Sequence, residues 1–227
     1  MNELLVQPLD RSTTGAQVAH AVREMILDGS LEPGTHLREQ QLAHALGVSR
    51  NTLREALRSL VEQGLLTHHP HRGVVVTDLV EADVADLFRM RGVLEGAGLA
   101  TIDGDGIAAL ADSTDAFAHA LAAGDIVGAL EHDFAFHRVL VDALGSARLS
   151  AAHARAQGEL RLVMLQLDRD YEPPQVAEHR AIVDALAAGD VKRATLALDD
   201  HLGRANQRLQ FLVRMKESET PAKGAPQ

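Results

Sequence analysis

Cysteine is absent from the whole 227-residue chain, which excludes disulfides and thiolate metal sites and leaves any bound metal to nitrogen and oxygen donors. Long apolar runs are absent as well. No stretch approaches the ~20 residues that a membrane-spanning helix needs. Residues 1–8 have neither the basic start nor the apolar middle of a secretory leader. These absences predict a soluble, cytoplasmic protein without a membrane partner. Excess positive charge is the third thing missing: 22 Lys and Arg stand against 32 Asp and Glu, for a net charge of −10. The deficit is uneven. Residues 1–77 hold seven Arg and eight acidic residues, a net of −1, whereas residues 78–227 hold 15 basic and 24 acidic residues, a net of −9. The acidity of the second part favours solubility and says nothing about the first.

What the near-neutral first part does contain is the run Gly47-Val48-Ser49-Arg50-Asn51-Thr52-Leu53-Arg54-Glu55-Ala56-Leu57-Arg58. A Gly-Val turn follows the short apolar-periodic stretch from Gln41 to Leu46. Ser49 is placed to N-cap a second helix, on which Arg50, Arg54 and Arg58 share one side and Leu53, Leu57, Leu60 and Val61 another. Two short helices joined by a tight turn, the second carrying Arg near its start, form the helix-turn-helix that enters a DNA major groove. A solvated Arg face on an ordinary amphipathic helix is the plain alternative. Upstream, residues 14–28 show helical apolar spacing closed by Gly29. Downstream, β-prone runs flank the tip His68-His69-Pro70-His71-Arg72-Gly73 and predict a hairpin, or wing. The three wing-tip histidines read as solvated loop residues before they read as DNA contacts.

From Glu81 onward only Ala/Leu-rich helical periodicity remains. It predicts helices over 81–100, 105–123, 125–144, 147–169, 174–188 and 190–216, an antiparallel bundle of about six. The fold class is therefore mainly α: a winged helix-turn-helix over residues 1–77 and an all-α bundle over 78–215, with a polar, frayed tail over 216–227. Ala120-Leu121-Ala122-Ala123-Gly124-Asp125 recurs as Ala185-Leu186-Ala187-Ala188-Gly189-Asp190. In each copy Gly ends one helix and Asp caps the next.

The bundle carries one constellation of donors. Asp133 and His137 stand at i and i+4, one helical turn apart on one face; His179 and His201 lie beside the apolar faces of two later helices. Each histidine by itself reads first as a buried, hydrogen-bonded residue. One Asp and three His from three helices of a bundle read together as a metal site, suited to Zn²⁺, Ni²⁺ or Mn²⁺. His119, His132 and His153 do not share this face logic and are read as background. Arg91, on the inner side of the first bundle helix, requires a partner: either a bound carboxylate near the metal or Glu95 at i+4.

With both parts in view, the chain resembles the GntR family of bacterial transcription regulators, in the FadR-like subgroup with an FCD effector domain, over about residues 14–213. The N-terminal resemblance rests on Ile26-Leu27-Asp28-Gly29, Leu31-Glu32-Pro33-Gly34, Leu46-Gly47-Val48-Ser49-Arg50, Leu53-Arg54-Glu55-Ala56-Leu57 and Gly64-Leu65. The C-terminal one rests on Arg91-x-x-Leu94-Glu95, Asp133-x-x-Phe136-His137, Glu178-His179-x-x-Ile182 and Ala194-x-x-Ala197-x-x-x-His201-Leu202. The resemblance implies a homodimer on a near-palindromic operator, governed by a small metabolite, commonly an organic acid. It implies DNA contacts from Arg50 and Arg54 in the major groove, from Ser49, Asn51 and Thr52 to phosphate or base edges, and from Arg72 and Gly73 of the wing, with Arg38 as a further contact. It also implies Asp133, His137, His179 and His201 as ligands of a divalent metal, and Arg91 as a contact for a carboxylate effector. The chain departs from the pattern at Gln40, where some members carry a base-contacting Arg, and at Ser146, where Asn is frequent.

The function expected is that of a ligand-responsive DNA-binding regulator, a repressor. One alternative is a direct metal sensor, in which the ion is the effector. Another is a metal-dependent hydrolase, but the chain has no His-Glu-x-x-His base and no nucleophile motif, and an enzyme would leave the N-terminal part without a role.

Overall fold

The computed structural model of the chain describes residues 14–27, 29–70, 73–167 and 174–219. These fall into two compact units, 1–78 and 79–227.

In the first unit, α1 (Thr14–Leu27), α2 (Glu39–Ala45) and α3 (Arg50–Glu62) precede the antiparallel pair β1 (Leu66–His69) and β2 (Gly73–Val76). Val18, Val22 and Ile26 of α1 and Leu53, Ala56, Leu57 and Leu60 of α3 are buried together, as their helical spacing requires. The turn between α2 and α3 is made at Gly47, whose φ of +66° falls in the left-handed region that favours glycine. Ser49 then caps α3: its Oγ accepts from Thr52 N at 3.1 Å. The hairpin pairs Leu66 with Val76 and His69 with Gly73. The turn at residues 32–35, in which Thr35 N donates to Glu32 O at 3.1 Å, leads into something periodicity did not announce. Residues 34–37 run along β2, with Gly34 N bonded to Val76 O at 3.0 Å and Leu37 N to Val74 O at 2.9 Å.

The second unit holds α4 (Glu81–Leu99), α5 (Gly104–Ala122), α6 (Ile126–Asp142), α7 (Ala147–Leu167), α8 (Pro174–Ala187) and α9 (Val191–Glu219). Its core runs from Val84 and Phe88 through Phe117, Phe136, Leu140 and Leu160 to Ile182, Leu198 and Leu209. Both Gly-Asp joints are built alike. Gly124 and Gly189 each have φ +73°, and Asp125 and Asp190 each accept from a backbone N–H three residues on, at 2.9 and 3.0 Å. One close approach sets the interior: a Cβ on Gly98 of α4 would lie 1.8 Å from the carbonyl oxygen of Leu140 on α6. The last helix continues past the predicted end at 216 to Glu219. Lys, Glu and Ser there are tolerated in a helix, and Lys216 sits favourably in its final turn. The expected frayed tail is thereby shortened, and its remainder, 220–227, lies outside the described residues.

Candidate functional site

Asp133 and His137 of α6, His179 of α8 and His201 of α9 meet in the interior of the bundle, all buried, each offering a donor atom within 4.8 Å of the others. His137 Nε2 stands 3.2 Å from His201 Nε2, and Asp133 Oδ1 stands 3.5 Å from His179 Nε2 and 3.9 Å from His137 Nε2. Donors bound ~2.0–2.1 Å from one ion stand at about this separation from each other. Helical spacing joins Asp133 to His137, and the packing of α6, α8 and α9 brings all four together.

Carboxylates behind the site decide which ring nitrogens carry protons. His137 Nδ1 donates to Glu95 Oε2 and His201 Nδ1 donates to Glu178 Oε2, both at 2.7 Å. An ionised carboxylate only accepts, so each Nδ1 holds its ring's proton and each Nε2 is a lone pair. Two lone pairs facing at 3.2 Å repel unless a cation lies between them. His179 is stacked on Phe136, with ring centroids 3.9 Å apart, and neither of its nitrogens has a hydrogen-bond partner although both are buried. Burial, followed by the neighbouring His201 and His137, pushes His179 well below its ordinary pKa. Burial likewise pushes His137 down to about 4, against the pull of Glu95. Neutral imidazoles with bare nitrogens are the form that ligates a metal.

Glu95 is the hub of this arrangement. Its carboxylate takes Arg91 Nε at 2.7 Å, His153 Nε2 at 2.9 Å and His137 Nδ1 at 2.7 Å. Burial alone pushes the Glu95 carboxyl up, but Arg91, His137 and His153 outweigh it and hold it well below the usual carboxylate range. Of the two partners open to Arg91 in the sequence, Glu95 is thus engaged. Arg91 Nη2 nevertheless stays buried without a hydrogen-bond partner, and Arg91 borders a cavity shared with Asp133, His137, His201 and Arg208. The cavity is small, about 20 Å³, room for a water-sized occupant.

The sequence gives His153 no more than a background place, and the structure corrects this: it is fully buried against Glu95, and its Nδ1 has no hydrogen-bond partner. The signal was present in α7, where His153, Ala156, Gln157 and Leu160 repeat at i, i+3, i+4 and i+7 and are all buried. Glu178, which also pairs with Arg204 at 2.9 Å, was legible only as a neighbour of His179.

In the first unit, Arg50, Asn51 and Arg54 are exposed on α3 and Arg38 is exposed just before α2. The hydroxyls of Ser49 and Thr52 lie 2.8 Å apart. Arg54 Nε donates to Glu39 Oε2 of α2 at 2.7 Å, a pairing the sequence did not suggest. Gly73 opens β2 with φ +76°. Arg72 and His71 lie outside the described residues.

The family model for bacterial regulatory proteins of the gntR family matches residues 14–76, and that for the FCD domain matches residues 86–204. The "Probable D-xylose utilization operon transcriptional repressor" of Paenarthrobacter nicotinovorans is 33% identical over 86% of this chain and 88% of its own length. An uncharacterized HTH-type transcriptional regulator of Mycobacterium tuberculosis is 32% identical over 92% of this chain and 95% of its own. A solved structure from Rhodococcus sp. RHA1, assigned as a GntR transcriptional regulator, superposes with a TM-score of 0.73 at 32% identity, covering 87% of this chain and 98% of that one. These relatives are regulators of transcription, not enzymes, and among the described residues no helix is long and apolar enough to cross a membrane. Its winged helix-turn-helix, followed by six helices of the FCD type, places this chain in the GntR family of bacterial transcription regulators.

Proposed function

We propose that this chain is a metabolite-responsive repressor that binds a near-palindromic operator as a homodimer, with residues 1–77 reading DNA and residues 78–215 sensing the metabolite. Arg50 and Arg54 of α3 read base edges in the major groove. Ser49, Asn51 and Thr52 hold phosphate or base edges, and Arg38, Arg72 and Gly73 add flanking contacts. Asp133, His137, His179 and His201 hold one divalent ion, Zn²⁺, Ni²⁺ or Mn²⁺, and Arg91 takes a carboxylate of the effector beside it. The effector acts by binding one arrangement of the dimer more tightly than another, and shifts operator affinity by that difference.

The observation that carries this reading is the buried, unpartnered His179 among three further donors. Leaving its nitrogens without partners costs about 1–3 kcal/mol for each buried polar group, a cost that an ion removes at the nitrogen it binds. When bound, the ion supplies a positive centre for an anionic ligand. His179→Ala is expected to lose metal in elemental analysis of the purified protein, and to lose its response to organic acids, while its operator affinity survives. Full metal occupancy in that variant contradicts the site. Chelator alone releasing operator would favour direct metal sensing.

A further inference from the structure

A groove in the first unit runs between α3 and the hairpin, with a volume of about 500 Å³. From α3 come Arg54, Leu57, Arg58 and Val61, spaced i, i+3, i+4 and i+7 and therefore on one face of the helix. From the hairpin come His68 and Val74, which pair in register across the two strands, so that their side chains stand on one face. Glu39, at the start of α2, lines the groove beside Arg54, whose Nε it accepts at 2.7 Å.

Floor and rim differ in chemistry. Leu57 and Val74 are buried and Val61 is half-buried, whereas Arg58 and His68 are exposed. Arg54 shares its charge with Glu39. Arg58 has no ion pair or hydrogen bond among the described residues, although Glu55 and Glu62 stand about one turn from it on α3, and His68 has none either. An apolar floor under a rim of one unpaired guanidinium and one imidazole suits a ligand with an apolar face and an anionic edge. Length then selects among such ligands. Arg58 follows Arg50 by eight residues, ~12 Å along the helix, and the major groove of B-DNA is ~12 Å wide. With the first turn of α3 at the base edges, a side chain that far along has passed the bases and stands at the backbone. A deoxyribose presents an apolar face, and the phosphate beside it carries one negative charge.

Resting on the reading that α3 enters the major groove, we propose that this groove seats the DNA backbone. Arg58 and His68 grip one phosphate in each half-site from two sides, and Leu57, Val61 and Val74 pack against the adjoining deoxyribose. Such contacts fix register and add affinity without reading sequence. They are distinct from the contacts of Ser49, Arg50, Asn51 and Thr52 at the start of α3.

The test uses the full-length protein as wild type, Arg50→Ala, Arg58→Ala and His68→Ala. Each is titrated onto a duplex carrying its footprinted operator and onto a random duplex of equal length, from about 50 to 200 mM salt. Arg58→Ala is expected to weaken both duplexes by the same factor. Two half-sites then lose one neutralised phosphate each, so the slope of log affinity against log salt becomes shallower by about 1.8, and over this range the variant loses about tenfold less affinity than wild type. His68→Ala is expected to weaken both duplexes equally as well, since an imidazole N–H donates whether the ring is charged or neutral. In phosphate-ethylation interference, the same single phosphate of each half-site is expected to drop out of the pattern in both variants, which loss of a distant charge would not cause. An Arg58→Ala variant with the wild-type slope and ethylation pattern overturns the backbone seat. Loss of operator affinity alone would make Arg58 a base contact and overturns it too. Both results leave the major-groove reading standing, provided that Arg50→Ala loses its preference for operator. If Arg50→Ala keeps that preference, the placement of α3 falls and the proposal with it.

Discussion

Glu95 illustrates how much one buried residue can control. It lies 42 residues from His137 and 58 from His153, yet a single carboxylate fixes both rings and neutralises Arg91. Glu95→Gln keeps the shape and removes the charge. The amide puts an NH₂ where the carboxylate accepted, so one of the three donors meets another donor, and Arg91 is left as an unbalanced buried cation. Removing one partner of a buried ion pair costs about 3–5 kcal/mol, and loss of such a carboxylate behind a metal-bound histidine lowers metal affinity ~10–100-fold. The variant is therefore expected to unfold at lower denaturant when metal-free and to yield Zn²⁺ to a competing chelator at lower concentration. Wild-type chelator competition would remove Glu95 from any role in positioning His137. Residues of this kind mark the limit of reading a sequence. Asp133, His137, His179 and His201 were legible because each sits on a helical stripe that can be drawn from its own neighbours. Which stripe meets which is decided by packing between distant segments, so Glu95 showed only as a local i+4 partner of Arg91, and the stripe of α7 that carries His153 did not tell what it would meet.

At the scale of the element, α4 places its side chains through a glycine. Gly98 lies one turn beyond Glu95, and Leu140 lies one turn beyond His137. The backbone contact between Gly98 and Leu140 is what lets α4 approach α6 closely enough for the Glu95–His137 bond. A methyl group there would sit 1.8 Å from the Leu140 carbonyl oxygen, and backbone cannot rotate away as a side chain can. Gly98→Ala is thus expected to destabilise the bundle by about 1–3 kcal/mol, the usual cost of overpacking, and to weaken metal binding as α4 is pushed outward. Gly203 in α9 serves as the contrast, since nothing lies within 4 Å of a Cβ placed there. Gly203→Ala should gain up to ~1 kcal/mol through helix propensity. Denaturant midpoints that move the same way for both substitutions would refute this account. The elements themselves were largely legible. Apolar periodicity, Gly-Asp joints and Ser49 located the helices to within a few residues, because caps and stripes are local. The pairing of residues 34–37 with β2 was not legible, since an extended segment that short has no period to read.

Over the whole molecule, the distribution of charge constrains how DNA is bound. Residues 1–77 carry a net charge of −1 and the remainder −9, so long-range attraction opposes rather than assists approach to a polyanion. Affinity then has to come from a few well-placed cations acting at short range, and Arg54 is already partly neutralised by Glu39. In the proposed mode of binding, Arg50, exposed at the first turn of α3, would carry correspondingly more of the base contacts. Affinity that rests on a few short-range cations falls steeply with salt, and linking two heads in a dimer would offset this by making the second binding event intramolecular. The proposed homodimer accords with this charge balance. A footprint on DNA carrying the operator is expected to show two half-sites with two-fold symmetry, separated by about one helical turn of DNA or a multiple of it. Arg50→Ala is expected to cost ~1–3 kcal/mol for each base pair it reads, and to relax sequence preference at the two symmetry-related positions together. A single asymmetric footprint, or an Arg50→Ala variant with unchanged operator affinity, would mean that this acidic chain draws its affinity from contacts other than those on α3.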